Sequence, residues 1–302
     1  MLWLIAALIA YLVLAAVALA DKFFVAGPIG SARLYAFYIG ILQWLVFLLI
    51  PFVDFSIPEF NQIILALFAG ICFMLGLFWF FRGLQDFEAS RVVPAIGALL
   101  PVMIFVIFFI FSGDRVLPRP AELLAFLLLI LGGVLVTYQK ILPFKGFKFP
   151  LLAASFFAVY FVAAKYVFME QSFWSGFIWI RAGSFLVGLS FLPFVYREII
   201  RDILKREKSF SPKMTLIFFF NQLMGSLGNI LQAWSVALAP LVYVAMVTAL
   251  QGVQYAFLFI FTILLSLKFP KILKEELSGR VIFQKVFAIF LIGAGLAILA
   301  VK

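Results

Sequence analysis

The stretch from Leu123 to Tyr138 reads LLAFLLLILGGVLVTY and contains no charged residue. A second stretch, from Val286 to Val301, reads VFAIFLIGAGLAILAV and has the same character. A membrane-spanning helix requires roughly 20 mostly apolar residues, whereas a barrel strand requires only about ten alternating ones. Because hydrocarbon offers no hydrogen-bond partners, the backbone groups of such a stretch must pair within it. Both stretches therefore predict membrane-spanning helices.

The composition of the whole chain agrees with these two stretches. Of its 302 residues, 67% are hydrophobic and 12% are charged. Soluble domains are closer to 45–50% apolar and about 25% charged. We therefore predict an all-α membrane protein. With one Cys and no His, the chain offers neither a disulfide framework nor a zinc or haem site, so we expect no cofactor and no metal.

Apolar windows of roughly 20 residues predict ten membrane spans. The run from Leu2 to Ala20 has no basic residue before it, so we expect a retained first span and not a secretory signal. Arg197 to Lys213 is the longest hydrophilic stretch and predicts a solvated loop or a short surface helix. The predicted spans are 2–24, 34–53, 61–81, 92–112, 121–138, 149–169, 175–196, 214–236, 241–267 and 281–301.

The distribution of basic residues predicts the orientation. Most of the 23 Lys and Arg residues lie in the loops that follow odd-numbered spans. Since short cytoplasmic loops are enriched in Lys and Arg, we expect those loops in the cytoplasm and both termini outside. This bias accounts for the net charge of +10 without a nucleic-acid partner. The prediction is a multi-pass protein of a cytoplasmic or inner membrane.

The chain contains a weak internal repeat of five spans, which divides it into residues 1–143 and 144–302. Five is odd, so the second copy must enter the membrane from the opposite side. Inverted repeats of this kind are typical of secondary transporters, whose substrate site lies near mid-membrane between the halves. The pairs that align at offsets between 143 and 150 are Lys22 with Lys165, Arg33 with Arg181, Phe37 with Phe185, Gly40 with Gly188, Met74 with Met224, Ala89 with Ala239, Val92 with Val242 and Leu100 with Leu250.

Three features carry a family resemblance over essentially the whole chain: the two Lys-then-Arg pairs, the stretch from Glu88 to Pro101 with its counterpart from Ala237 to Gln251, and the Gly-containing last span of each half. In these features the sequence resembles the EamA-type ten-helix members of the drug/metabolite transporter superfamily. The resemblance implies export or exchange of small metabolites, such as amino acids, through a central cavity. Gln251 stands where the first half has Pro101, so the halves are not chemically equivalent.

Polar residues recur at helical spacing in two neighbouring spans of the second half. Side chains three or four residues apart share one face of a helix. The functional interpretation is a cavity wall that hydrogen-bonds a polar solute; the alternative is that these side chains join helices to one another. The residues are Gln222, Ser226, Asn229 and Gln232 in the eighth span, and Thr248, Gln251 and Tyr255 in the ninth.

Three further side chains are candidates for the cavity. Lys165 could bind a substrate carboxylate, although a snorkelling side chain that reaches the headgroups is the favoured interpretation. Trp79 and Tyr160 could stack on a substrate, but with 41 Phe residues in the chain packing is the simpler role.

Two prolines and one charged cluster are candidates for moving parts. Pro94 and Pro101 lie in the fourth span and could bend or break it. The cluster Arg82, Asp86, Glu88 and Arg91 could form a gate whose ion pairs re-form during transport. The favoured alternative is a solvated loop with surface pairs worth at most about 1 kcal/mol.

The leading functional hypothesis is a secondary transporter that moves a small polar metabolite by alternating access. A flippase for lipids or lipid-linked sugars is the alternative, with Lys165 and Arg181 as headgroup-binding cations. An enzyme is disfavoured, because no catalytic constellation is present. No Asp or Glu lies in the middle of a predicted span, which favours a facilitator or exchanger over proton coupling. Expected partners are a small-molecule substrate and the lipid bilayer, with the chain as a monomer or homodimer.

Overall fold

The fold was analysed in a computed structural model. The structure describes residues 1–26, 32–87, 89–111, 119–137, 146–204, 212–268 and 279–300. This part of the chain is all-helical and contains no strand, in agreement with the predicted class.

Twelve α-helices and two 3-10 segments make up the described chain. The 3-10 segments are Gln43–Phe52, which continues α2, and Leu241–Tyr243, which precedes α10. The helices are α1 (Leu2–Ala26), α2 (Ala32–Leu42), α3 (Phe60–Asp86), α4 (Ala89–Phe111), α5 (Pro120–Thr137), α6 (Lys148–Glu170), α7 (Phe173–Ser190), α8 (Leu192–Leu204), α9 (Pro212–Leu238), α10 (Val244–Ala249), α11 (Gln251–Lys268) and α12 (Gly279–Ala300).

Several helices have the length and composition of membrane spans. Six qualify among the described residues: Arg33–Phe52, Phe60–Asp86, Lys148–Glu170, Met214–Leu238, Leu241–Phe261 and Phe283–Ala300. Three shorter apolar helices are Leu2–Ala18, Ala95–Phe111 and Pro120–Val136. These long apolar helices indicate a multi-pass protein embedded in a membrane.

The surface of the helices supports this conclusion. Phe52 is 84% exposed, Phe60 is 74% exposed and Phe283 is 73% exposed. Soluble monomers rarely present extensive apolar patches to solvent. Lipid is the solvent that accommodates aromatic side chains on the outside of a bundle.

The helices pack in a pattern that crosses the middle of the chain. The most extensive pairs are α3 with α6, α1 with α9 and α5 with α12, and α7 packs against both α3 and α2. Glycines bring α3 and α7 together, since a Cβ at Gly70 would lie 1.9 Å from the Ile180 carbonyl oxygen and one at Gly183 would lie 2.1 Å from that of Leu67. Small residues of this kind allow close helix approach in membranes.

The interrupted helix is not the one that the prolines predicted. Helix α4 continues without a break through Pro94 and Pro101. The break lies in the ninth predicted span, where α10 ends at Ala249 and α11 begins at Gln251. A 3-10 bond from Val253 N to Leu250 O (2.8 Å) replaces the regular pattern there. Proline is tolerated in α4 because it fixes a helical φ and costs one backbone bond that neighbouring groups can compensate in a membrane bundle.

Helix α8 covers the first part of the hydrophilic stretch that begins at Arg197. It begins after a turn at Phe191 and runs to Leu204. Val195 is buried against Leu34 and Phe37 of α2, whereas Phe194 is exposed. A short helix thus accounts for residues 197–204 of that stretch, whereas residues 205–211 lie outside the described residues.

Candidate functional site

The candidate site is centred on the guanidinium of Arg181, in the middle of α7. Its side chain is only 3% exposed. The Cζ atom lies 4.7 Å from the ring centroids of both Phe73 and Phe177. Nη1 donates a long hydrogen bond of 3.4 Å to Oε1 of Gln43. A cation is therefore enclosed by two aromatic rings and one amide.

The surroundings of Arg181 only partly compensate its charge. A guanidinium carries five N–H donors, and one of them meets an acceptor in the described chain. No described Asp or Glu forms an ion pair with it. A desolvated cation–π contact is worth about 2 kcal/mol, whereas removing an ion from water costs several kcal/mol. Charges retained inside a membrane bundle at such a cost usually mark functional sites.

Tyr160 of α6 completes the site on a third side. Its ring centroid lies 5.0 Å from that of Phe73, which also contacts Arg181, and its side chain is buried. Phe73 is central in α3, Tyr160 in α6 and Arg181 in α7. The site thus lies at mid-length of the helices and draws side chains from both halves of the chain. Tyr160 was a predicted cavity residue, and the structure places it here.

The polar stripe of the eighth predicted span lies on α9, and two of its amides form different kinds of hydrogen bond. Gln232 Nε2 donates to the Tyr11 hydroxyl (3.2 Å), which in turn donates to the Val247 carbonyl (2.8 Å). This chain of bonds joins α9 to α1 and α10, which is the helix-joining alternative. Asn229 Nδ2 instead donates within α9, to the Gly225 carbonyl.

The remaining two members of that stripe lie toward the outside of the bundle. Ser226 is exposed and its Oγ donates to the Gln222 carbonyl at 2.8 Å. Gln222 itself is half-buried. Both side chains remain accessible to a solute or to lipid.

The ninth predicted span places its three polar residues differently. Thr248 is buried and its Oγ1 donates to the Ala245 carbonyl at 2.8 Å. Tyr255 is buried against α4, with its hydroxyl 3.4 Å from the position that a Cβ at Gly97 would take. Gln251 is half-buried and is the first residue after the break, so its amide lies where the helix is interrupted.

Lys165 does not snorkel. It is 6% exposed, and its Nζ donates to the carbonyls of Ala237 (3.0 Å) and Ala239 (2.6 Å). Those carbonyls belong to the end of α9, where the last turn lacks intrahelical partners and carries partial negative charge. The ammonium therefore caps a helix, a role that the sequence did not predict.

Trp79 lies at a packed interface away from Arg181. Its ring centroid is 6.0 Å from that of Phe149 at the start of α6 and 5.4 Å from that of Phe78. These contacts correspond to the packing interpretation of Trp79.

Only part of the candidate gate lies among the described residues. Arg82 Nη1 donates to Oε1 of Gln85 at 2.8 Å, within α3. Asp86 is exposed at the end of that helix. Glu88 and the side chain of Arg91 lie outside the described residues, as does the side chain of Pro94, whereas Pro101 is buried in α4.

Gln43 was not among the predicted site residues, and Arg181 was considered only as a headgroup-binding cation of the flippase alternative, although the sequence carried a signal for each. Gln43 lies near the middle of the predicted span 34–53, and Arg181 lies well inside the span 175–196. A polar side chain at that depth is costly and calls for a function or a partner. What the spacing did not indicate is that helices distant in sequence bring the two together.

The site contains no metal-binding constellation. Across the described ranges, no group of three or more His, Cys, Asp or Glu side chains could hold a metal ion. The available chemistry is that of a cation, an amide, a phenol and aromatic rings, which suits binding of an anionic or polar solute.

Comparison with known proteins establishes the fold alone. No family model matches the chain, and no curated protein matches it. One solved structure, described only as "Crystal structure of protein", is 19% identical, with a TM-score of 0.64. The match covers 99% of this chain and 96% of the other. This chain is thus similar in overall fold to that protein along nearly its whole length.

Proposed function

We propose that this chain is a secondary transporter that moves a small polar metabolite by alternating access. In this proposal, ten spans form two inverted five-helix repeats, residues 1–143 and 144–302, as in the drug/metabolite transporter superfamily that the sequence resembles. The observation that carries the proposal is the position of Arg181. A buried cation with no acidic partner among the described residues lies at mid-length of the helices and between the two halves, where transporters of inverted-repeat architecture bind their substrates.

The pairing of helices supports the inverted repeat. If α1 corresponds to α6 and α3 to α9, then the two most extensive pairs, α1 with α9 and α3 with α6, are equivalent. Helices close to a two-fold axis should instead meet their own counterparts, as α2 does with α7 and α5 with α12.

A single residue pair supports the same interpretation. The sequence alignment at offset 148 sets Gly40 on Gly188. A Cβ at Gly40 would lie 2.5 Å from the Cα atom of Gly188, so these residues touch where α2 crosses α7. Contact between a residue and its own repeat counterpart is the expected geometry at a two-fold axis.

The deviations from symmetry support alternating access. Helices α3 and α7 are tightly packed, whereas α9 and α2, which would be the equivalent pair, share no comparable contact in the described chain. At the end where α3 begins, Ser56 N donates to Ser175 Oγ at 2.7 Å and Ser172 Oγ donates to the Asp54 carbonyl at 3.3 Å. The bundle is thus held together at that end. With the orientation that the basic loops predict, this is the outer end, so the proposal interprets the conformation as closed to the outside.

The test is counterflow in liposomes. Purified protein would be reconstituted with internal unlabelled amino acids and related metabolites, and uptake of the labelled solute would be measured. We expect counterflow of at least one solute above empty vesicles, since an exchanger requires no other energy source. Failure of every solute to move, together with scrambling of labelled phospholipid, would contradict the proposal.

That contrary outcome would favour the flippase alternative, for which one observation speaks. Ser226 is exposed on α9 beside Leu223 and Leu227, which are 64% and 46% exposed. A polar side chain on a lipid-facing surface could accompany a headgroup along the bundle. The same liposomes measure both activities, so one preparation separates the two functions.

A further inference from the structure

We propose that Arg181 binds the carboxylate of a small organic anion, so that the transported solute carries a carboxylate. This inference rests on the proposed transport function and adds the chemical class of its substrate. A phospholipid phosphate also presents anionic oxygens to a guanidinium, and the experiment below distinguishes the two sources.

The geometry at Arg181 leaves most of its N–H donors without an acceptor among the described residues. Its Cζ atom lies over the ring faces of Phe73 and Phe177, 4.7 Å from each centroid. The N–H groups lie in the plane of the guanidinium and form the fork that matches two carboxylate oxygens. Only Nη1 meets a described acceptor, at 3.4 Å. A carboxylate at this edge would gain charge-assisted hydrogen bonds in a low dielectric.

Gln43 is a positioning residue in this site. Its Nε2 donates to the carbonyl of Ile39, one turn earlier, at 3.3 Å, while its Oε1 accepts from Arg181. The backbone thus fixes the amide, and the amide in turn orients the guanidinium. Such support keeps a long side chain in the conformation that its ligand requires.

Two other buried charged groups, Glu122 and Lys165, have partners of their own. Glu122, the buried carboxylate of the described chain, accepts from the hydroxyl of Tyr243 at 2.6 Å and from the backbone of Arg119 at 3.0 Å. The ammonium of Lys165 is engaged with the end of α9. No described carboxylate thus balances the charge of Arg181, and in this proposal a substrate anion does so.

The experiment measures binding to the full chain in nanodiscs of phosphatidylcholine. The probe is benzoate, and benzamide, which has the same shape without the charge, is its control. Unfolding is followed with a maleimide dye that reacts with Cys72, the only cysteine, which is buried. The variants are Arg181→Gln, Arg181→Lys and, as a matched control on α8, Arg197→Gln, whose exposed side chain lies against Tyr196.

We expect benzoate, but not benzamide, to raise the melting temperature of the wild type and of Arg197→Gln. The affinity of Arg181→Gln for benzoate should fall on the order of tenfold to a hundredfold, because charge-assisted bonds are lost. Arg181→Lys should lie between the two, since an ammonium keeps the charge without the fork. If Arg181→Gln does not fold, Gln43→Leu serves instead, because it keeps the cation and should bind benzoate more weakly at normal folded yield.

Three results with benzoate or benzamide would overturn the inference. They are equal stabilisation by benzamide, equal benzoate affinity in wild type and Arg181→Gln, and no benzoate response at any concentration. Stabilisation that depends on Arg181 but appears only with phosphatidylglycerol in the nanodisc would assign the site to a lipid headgroup and would also reject it. Counterflow of neutral solutes that does not depend on Arg181 would reject this inference and leave the transport proposal intact. Benzoate binding without flux of any solute would support this inference and contradict the transport proposal.

Discussion

Replacement of Gly70 by alanine tests the closest helix contact in the molecule. A Cβ at this position would lie 1.9 Å from the carbonyl oxygen of Ile180 and 2.7 Å from the backbone nitrogen of Ser184. Backbone atoms cannot rotate away as a side chain can, so α3 and α7 would have to separate. The separation would also lengthen the 3.0 Å hydrogen bond from Ser184 Oγ to the Gly70 carbonyl.

The size of the effect follows from these two terms. Overpacking a tight contact costs about 1–3 kcal/mol, and a lost hydrogen bond costs about 1 kcal/mol. We expect Gly70→Ala to reduce the free energy of unfolding by about 2–4 kcal/mol. At roughly 2–4 °C per kcal/mol for a chain of this size, the melting temperature should fall by about 5–15 °C.

Cys72 provides the assay. It is 3% exposed, so a maleimide dye reacts with it only as the bundle opens on heating. Gly293→Ala is the control, because a Cβ there meets no atom within 4 Å. Ser184→Ala removes the hydrogen bond without the steric clash and should account for the smaller part of the loss. If Gly70→Ala melts together with wild type and Gly293→Ala, the tight packing of α3 on α7 is refuted.

Three further predictions concern other polar residues. Lys165→Met should lower the melting temperature, because methionine leaves two carbonyls at the end of α9 unpaired at a cost of about 1–3 kcal/mol each. Lys165→Arg should retain most of the wild-type stability. Equal melting of both variants would argue against the cap. Tyr243→Phe should destabilise the bundle by about 1.5–3 kcal/mol, since it removes a hydrogen bond to the buried carboxylate of Glu122, and unchanged thermal unfolding would contradict that contact. Gln251→Leu should reduce counterflow at normal folded yield. Asn229→Leu should reduce it less, because the Asn229 amide donates a hydrogen bond within its own helix. The opposite order would place the solute along α9 instead of at the helix break.

The sequence was informative where a property depends on local composition. Long apolar runs predicted helices embedded in a membrane, and the helical spacing of Gln232 with its neighbours placed a polar stripe on one face of α9. The periodicity did not show which partner each amide meets. Gln232 lies opposite Tyr11, more than two hundred positions away in the chain, and that contact depends on how α1 packs against α9.

The prolines illustrate why local rules failed at the interrupted helix. Proline limits the backbone, but a bundle can accept it if nearby groups compensate the missing bond, as α4 does at Pro101. The break at Leu250 has no proline or glycine at its centre. It lies where the main packing partner changes, since α10 packs mostly against α4 and α11 packs mostly against α1 and α5.

The sequence by itself thus determined the class of the molecule, which is a set of helices in lipid. It also carried an excess of basic residues in the loops after odd-numbered predicted spans, and a weak repeat that aligns Gly40 with Gly188. The tertiary structure alone decided what two of the buried cations, Lys165 and Arg181, do. Lys165 and Arg181 occupy similar positions in the linear pattern, each within an apolar span. One meets the carbonyl end of another helix and becomes a cap. The other meets ring faces and one amide, and most of its donors meet no acceptor in the described chain. A cation's role depends on which groups share its low-dielectric surroundings, and those groups come from helices that only folding brings together.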